Sequence, residues 1–147
     1  MGFREMQDEE MAHLLVEQRI VRIAFDALGR RYLIPLGYVW IDGCLCGNTI
    51  RGRKTEMAKT NAQVSSQIDN STVTGPWGWR SITGEGTFEL IGDPTEIARV
   101  SPLLQARFSD GPEWFLKGKM KKAEVGEAVF WRIRPWEMTG LEHVPDE

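Results

Sequence analysis

Long apolar runs are missing from this sequence, and none approaches the roughly 20 residues a bilayer-crossing helix needs. The opening residues, Met1-Gly2-Phe3-Arg4-Glu5-Met6, carry charge too early for the apolar core of a signal peptide, so the expectation is a cytoplasmic protein. An excess of positive charge is also missing. A net charge of −3 argues against a general nucleic-acid binder, which needs a broad positive field, and leaves room for a local basic site. Cysteine and histidine are scarce, at two each. His13 and His143 lie far from Cys44 and Cys46, a poor set for zinc. On one strand the two cysteines would have α-carbons about 6.5–6.8 Å apart with parallel side chains, so they read as packing residues rather than a disulfide. Repeats, low-complexity segments and linkers are absent too, and residues 1–147 read as a single domain.

What is present is an ordinary globular balance of 41% hydrophobic and 27% charged residues over 147 positions. That length can bury roughly two-thirds of its unfolded surface. Asp8 reads as the N-cap of a short helix with Met11, Leu14 and Leu15 on its apolar side. Ile20 to Phe25 then alternates as a strand, residues 26–29 form a turn, and Arg31 to Trp40 reads as a longer strand. Asp42-Gly43 is a hairpin signal, with Cys44 to Thr49 returning. Connections this short imply an antiparallel meander. The strand around Leu33, Ile34, Pro35 and Leu36 is apolar on both faces, so a helix, a partner subunit or a ligand should cover its outer side.

Further along, residues 54–61 suggest one or two helical turns, 62–69 a strand and 70–78 a polar loop. Trp79 to Leu90 reads as a strand with a bulge or bend at Gly84 and Gly86. Asp93-Pro94 opens a helix carrying Ile97, Val100, Leu103 and Leu104, with Pro102 as a potential kink. Lys117 to Lys122 is a basic run, and Ala128 to Ile133 closes the set of six strands.

The richest stretch is Gly47-Asn48-Thr49-Ile50-Arg51-Gly52-Arg53-Lys54-Thr55. Three cations surround a glycine between the end of a strand and the start of a helix. A helix start carries partial positive charge and unpaired N–H groups, so it favours anions over cations. Arg53 and Lys54 are misplaced there unless an anion joins them, and phosphate is the natural candidate, with the Thr49 hydroxyl as a further donor. A solvated basic turn is the other reading. The stretch nearly spells a P-loop, but Arg53 interrupts the glycine–lysine step and the preceding strand belongs to a hairpin rather than a parallel unit. Gly84 and Gly86 lack the third glycine of a dinucleotide fingerprint.

The order of these signals resembles the pyridoxamine 5′-phosphate oxidase-related split-barrel flavoproteins over nearly the whole chain. It runs from the N-terminal helix through Pro35 and Tyr38, the Asp42-Gly43 hairpin, Asn48-Thr49, Gly52-Arg53-Lys54, Trp79-Arg80-Ser81-Ile82 and Gly92-Asp93-Pro94 to Arg132-Ile133-Arg134-Pro135. The resemblance implies a mainly β fold, a six-stranded antiparallel split β-barrel binding FMN. It also implies a homodimer with two cofactor sites at the subunit interface. Arg53 and Lys54 match the pair that holds the cofactor phosphate, and Thr49 a hydroxyl beside it. Leu33, Ile34, Pro35 and Leu36, and the stretch through Asn48, match residues beside the ring and ribityl chain. Ser81 matches a position that approaches the cofactor.

Two departures narrow the implied function. Asn48 stands where many relatives have histidine. The C-terminal arginine–histidine pair with which the true oxidase grips its substrate is absent, and His143 reads as part of an acidic tail. Vitamin B6 oxidation is therefore not expected, and the implied activity is an FMN-dependent oxidoreductase with no catalytic residue assigned. A deazaflavin is the alternative cofactor, its longer anionic tail meeting Lys117, Lys119, Lys121 and Lys122. A non-catalytic flavin- or haem-binding protein is the other alternative, with His13 and His143 as the available axial ligands. Trp40 and Trp131 read as core or interface residues, and Trp77 and Trp79 as residues flanking the polar loop.

Overall fold

A computed structural model describes residues 2–124 and 128–145 of the chain, with the side chains of residues 122–124 outside the described set. The elements run β1 (Gly2–Glu5), α1 (Asp8–Glu17), β2 (Ile20–Ala27), β3 (Arg30–Gly37), β4 (Val39–Ile41), β5 (Cys44–Ile50) and α2 (Arg53–Thr60). Then follow β6 (Gln63–Asp69), α3 (Ser71–Thr74), β7 (Arg80–Ile91), α4 (Pro94–Arg107), α5 (Glu113–Glu124) and β8 (Ala128–Val144). None of the described helices is long and apolar enough to cross a membrane.

The strands form one curled antiparallel sheet in the order β3-β2-β6-β7-β8-β5-β4, with β1 on β8. This is a split β-barrel. The expected meander is broken: β2–β3 and β4–β5 are each hairpins, but they stand at opposite ends of the sheet path. The cause is at Tyr38. It leaves the sheet, is fully buried, and donates its hydroxyl hydrogen to the Leu15 carbonyl at 2.7 Å, so the predicted 31–40 strand becomes β3 and β4. The ends meet again where Gly37 crosses Gly47. A Cβ on Gly47 would lie 2.6 Å from the Gly37 carbonyl oxygen and 2.5 Å from the Trp131 ring, so only glycine fits.

Both hairpins turn through two residues of positive φ, Leu28-Gly29 and Asp42-Gly43, as tight antiparallel connections require. Inward residues of alternating strands fill the core, with Val21, Ile23, Phe25, Val64, Ile68, Ile82, Trp131 and Ile133 at 2% exposure or less. A second cluster of Ile41, Cys44 and Cys46 sits under Val100 of α4. Asp93 caps α4 by accepting the Thr95 N–H, with Pro94 following, as the sequence predicted.

Several details differ from the sequence reading. Asp8 is the first helical residue rather than the cap. Gln7 holds the cap position, and its N–H donates to the Glu10 carboxylate. Leu103 faces solvent, leaving Val100 and Leu104 to bury α4. Two further short strands, β1 and β4, join the six expected. The basic run lies within α5. The last strand extends far beyond Ile133, because the register shift opposite Glu85 and Gly86 accommodates Pro135 without losing the ladder on either side.

Candidate functional site

The basic corner is built where β5 ends. Ile50 leaves the sheet, Arg51-Gly52 turns the chain, and α2 begins at Arg53. Buried Thr55 pins that start, since its hydroxyl accepts the Gly52 N–H and donates to the Gly52 carbonyl, both at 2.9 Å. Met57 and Ala58 bury the other face of α2, so the corner is held rigidly. Exposed Arg53 places its guanidinium 5.2 Å from the centroid of the Tyr32 ring, tying α2 to β3. Lys54 is half-buried beside it.

The β3 quartet divides between two faces. Ile34 and Leu36 pack on the core, while Leu33 and Pro35 point outward, Leu33 at 67% exposure. Half-buried Asn48 and Thr49 sit opposite Phe130 and Val129 of β8. The Gly37–Gly47 crossing and the Arg53–Tyr32 contact join β3, β5 and α2 in one neighbourhood. Leu33, Ile34, Pro35, Leu36, Asn48, Thr49, Arg53 and Lys54 therefore stand on these three adjoining elements, with Leu33 and Pro35 facing away from Ile34 and Leu36.

Ser81 does not. It lies on β7, three strand steps from β3, which is about 14 Å at the usual strand spacing. Its hydroxyl accepts from the Gln67 side-chain amide at 2.9 Å. With Gln67, Asp69, Ser71 and Trp79 it lines a separate hollow of about 250 Å³. Burial works against the charge of Asp69, yet hydrogen bonds from Ser71 and Gln67 hold its carboxyl below the usual range.

The sequence reading placed Lys119 in a basic run facing an anionic tail, whereas the structure turns it to Asn48. Its ammonium lies 5.6 Å from the Phe108 centroid and 5.2 Å from the Phe115 centroid, and donates to Asn48 Oδ1 at 2.8 Å. Burial pushes the Lys119 ammonium below the ordinary lysine range. The Phe115–Lys119 spacing of four places ring and ammonium on one helix face, which is a signal the sequence does carry. Lys117 pairs with Glu113 at 2.8 Å, and the Lys122 side chain is outside the described residues.

The histidines are not open ligands. His13 is exposed and paired with Glu17. His143 corrects the acidic-tail reading, because β8 carries it to 5% exposure between β1 and the loop before β7. Trp79 stacks on it at 5.5 Å and 16°, with Phe3 and Trp77 alongside, and its Nδ1 accepts the Gly78 N–H at 3.0 Å. A haem iron would have to displace that bond or that stack. Among the described residues no group of three or more histidine, cysteine or acidic side chains is placed to hold a metal.

Comparison with known proteins agrees with this fold. A FAD-binding protein from Mesorhizobium loti is 27% identical, with a TM-score of 0.78 over 97% of this chain and 99% of that one. A putative pyridoxamine 5′-phosphate oxidase from Corynebacterium glutamicum is 18% identical, with a TM-score of 0.69 over 100% and 99%. A haem storage protein from Vibrio cholerae shares the fold at 14% identity and a TM-score of 0.72, over 89% and 92%. No curated protein matches the sequence. The family model described as pyridoxamine 5′-phosphate oxidase matches residues 7–142, and the chain belongs to that family.

Proposed function

We propose that this protein binds a flavin by its ribityl phosphate at Arg53, Lys54 and Thr49, and works as a flavin-dependent oxidoreductase. One observation carries the reading: Arg53 opens a helix whose start is pinned by Thr55, the wrong end for a cation unless an anion completes the site. FMN is the smallest flavin that satisfies it. The bound flavin would supply the hydride or electron transfer. The chain's residues bind and orient it. Arg53 and Lys54 neutralise the phosphate, the β3 edge from Leu33 to Leu36 lies along the ring, and Asn48 is held in place by Lys119.

Assembly as a homodimer belongs to the same reading. The outward Leu33 and Pro35 are an apolar surface without cover in one chain. Ser81, about 14 Å from β3 across the sheet, would then serve the cofactor of the other subunit. A deazaflavin is less well supported, since Lys117 and Lys119 are engaged with Glu113 and Asn48 rather than turned to an anionic tail. The absorption spectrum of the purified protein, with the mass of the molecule released on denaturation, tests the reading. A flavin supports it, and a haem or deazaflavin contradicts it.

A further inference from the structure

Lysines elsewhere on this chain pair with carboxylates, Lys59 with Glu56 and Lys117 with Glu113. Lys119 does not. Among the described residues no carboxylate lies within 4 Å of its ammonium, although the side chain is half-buried. The ammonium sits instead between Phe108 and Phe115, and both rings are fixed. Phe108 lies so close to Gly37 that a Cβ there would come within 2.8 Å of the ring, and Phe115 stands against Gly111, where the distance would be 2.7 Å. Arg19, itself paired with Asp110, lies over Phe108 at 5.8 Å. Two cation–π contacts offset part of the cost of burying a charge, but a methionine would fill the same gap with no charge to desolvate. The ammonium therefore serves something besides packing.

What it meets is one atom, Asn48 Oδ1, at 2.8 Å. An ammonium has donors only, so it holds the oxygen of the Asn48 amide towards α5 and turns the NH2 away. Among the described residues Asn48 Nδ2 has no acceptor. A half-buried amide whose oxygen is taken and whose N–H groups are unpaired favours a ligand acceptor and rejects a ligand donor. Asn48 directly precedes Thr49 on β5, which the flavin reading places on the phosphate. An acceptor beside Asn48 then belongs to the part of the ligand that adjoins the phosphate.

We infer that Lys119 is a positioning residue for the cofactor, locking Asn48 as a donor to an acceptor atom on the ribityl and ring portion of the flavin. FMN and riboflavin share that portion. The inference rests on the flavin reading above and adds a contact that phosphate binding at Arg53 does not require.

Fluorescence titrations of FMN and riboflavin into wild type, Lys119→Met, Lys119→Arg, Asn48→Ala and the Lys119→Met/Asn48→Ala double variant test this, with a thermal melt of each. Lys119→Met should weaken both flavins alike, by about tenfold, the loss of one donor. Lys119→Arg, which keeps a charged donor, should restore both affinities to within about threefold of wild type. Asn48→Ala should lose as much as Lys119→Met, and the double variant no more than either, because the pair acts as one unit. Where Lys119→Met melts far below wild type, Asn48→Ala decides: equal weakening of the two flavins supports the inference, and no weakening overturns it. Losses that multiply in the double variant overturn it too, as does a loss confined to FMN, which would put Lys119 on the phosphate. Each of these leaves the flavin reading standing. If wild type binds neither flavin, both fall.

Discussion

Lys119 donates to Asn48 Oδ1 at 2.8 Å from between the rings of Phe108 and Phe115, so α5 reaches across to fix a side chain on β5. The contact fixes how Asn48 presents its amide beside Thr49. Burial holds the Lys119 ammonium below its ordinary value of 10.5. The folded chain therefore binds fewer protons at this group than the unfolded chain. Its contribution to stability is unfavourable well below the folded value and is relieved as pH rises towards 10.5. In Lys119→Met that component disappears. Urea midpoints measured against pH should show wild type gaining on the variant through the alkaline range below 10.5. A difference between the two that stays flat with pH would show that the ammonium is not desolvated.

The two cysteines are packing residues. Cys44 and Cys46 are buried free thiols under Val100, and burial pushes the Cys46 thiol up to about 11. A thiol reagent at neutral pH should leave both unmodified until the protein unfolds. Replacing both with Ala should cost roughly 1–2 kcal/mol in all and leave flavin affinity unchanged. A double variant that folds normally and binds flavin but loses turnover would show that the thiols are chemical.

Assembly is tested at Leu33, the outward residue of β3 with 67% exposure. Sedimentation at micromolar concentration should give twice the chain mass for wild type and the chain mass for Leu33→Glu. The variant should lose flavin with its partner. A wild-type monomer that binds flavin at full affinity would refute the interface.

Much of this arrangement was legible in the sequence because its signals are local. Asp42-Gly43 specifies a positive-φ turn, Asp93-Pro94 a helix start, and the alternation at Ile20 to Phe25 a strand, each within a few residues. The Arg53–Lys54 corner was legible for the same reason. What was missed depends on distant contacts. Tyr38 interrupts a strand-like run because its hydroxyl finds the Leu15 carbonyl. His143 is buried because β8 continues past Pro135 to pair with β1, and Pro135 is tolerated only where a register shift faces it. The separation of Ser81 from β3 follows from sheet order, which a sequence read strand by strand does not reveal.

The central claim is that Arg53 and Lys54 hold the flavin phosphate, and comparing FMN with riboflavin tests it most directly. The two ligands share ring and ribityl chain and differ in the phosphate alone. A charge-assisted hydrogen bond contributes about 1.5–3 kcal/mol, so Arg53→Gln or Lys54→Gln should weaken FMN by roughly ten- to a hundredfold. Riboflavin, already weaker, should bind wild type and both variants alike. Flavin fluorescence titrations read all six affinities under one set of conditions. Selective loss of FMN is the predicted result, and equal loss of both ligands would contradict the claim.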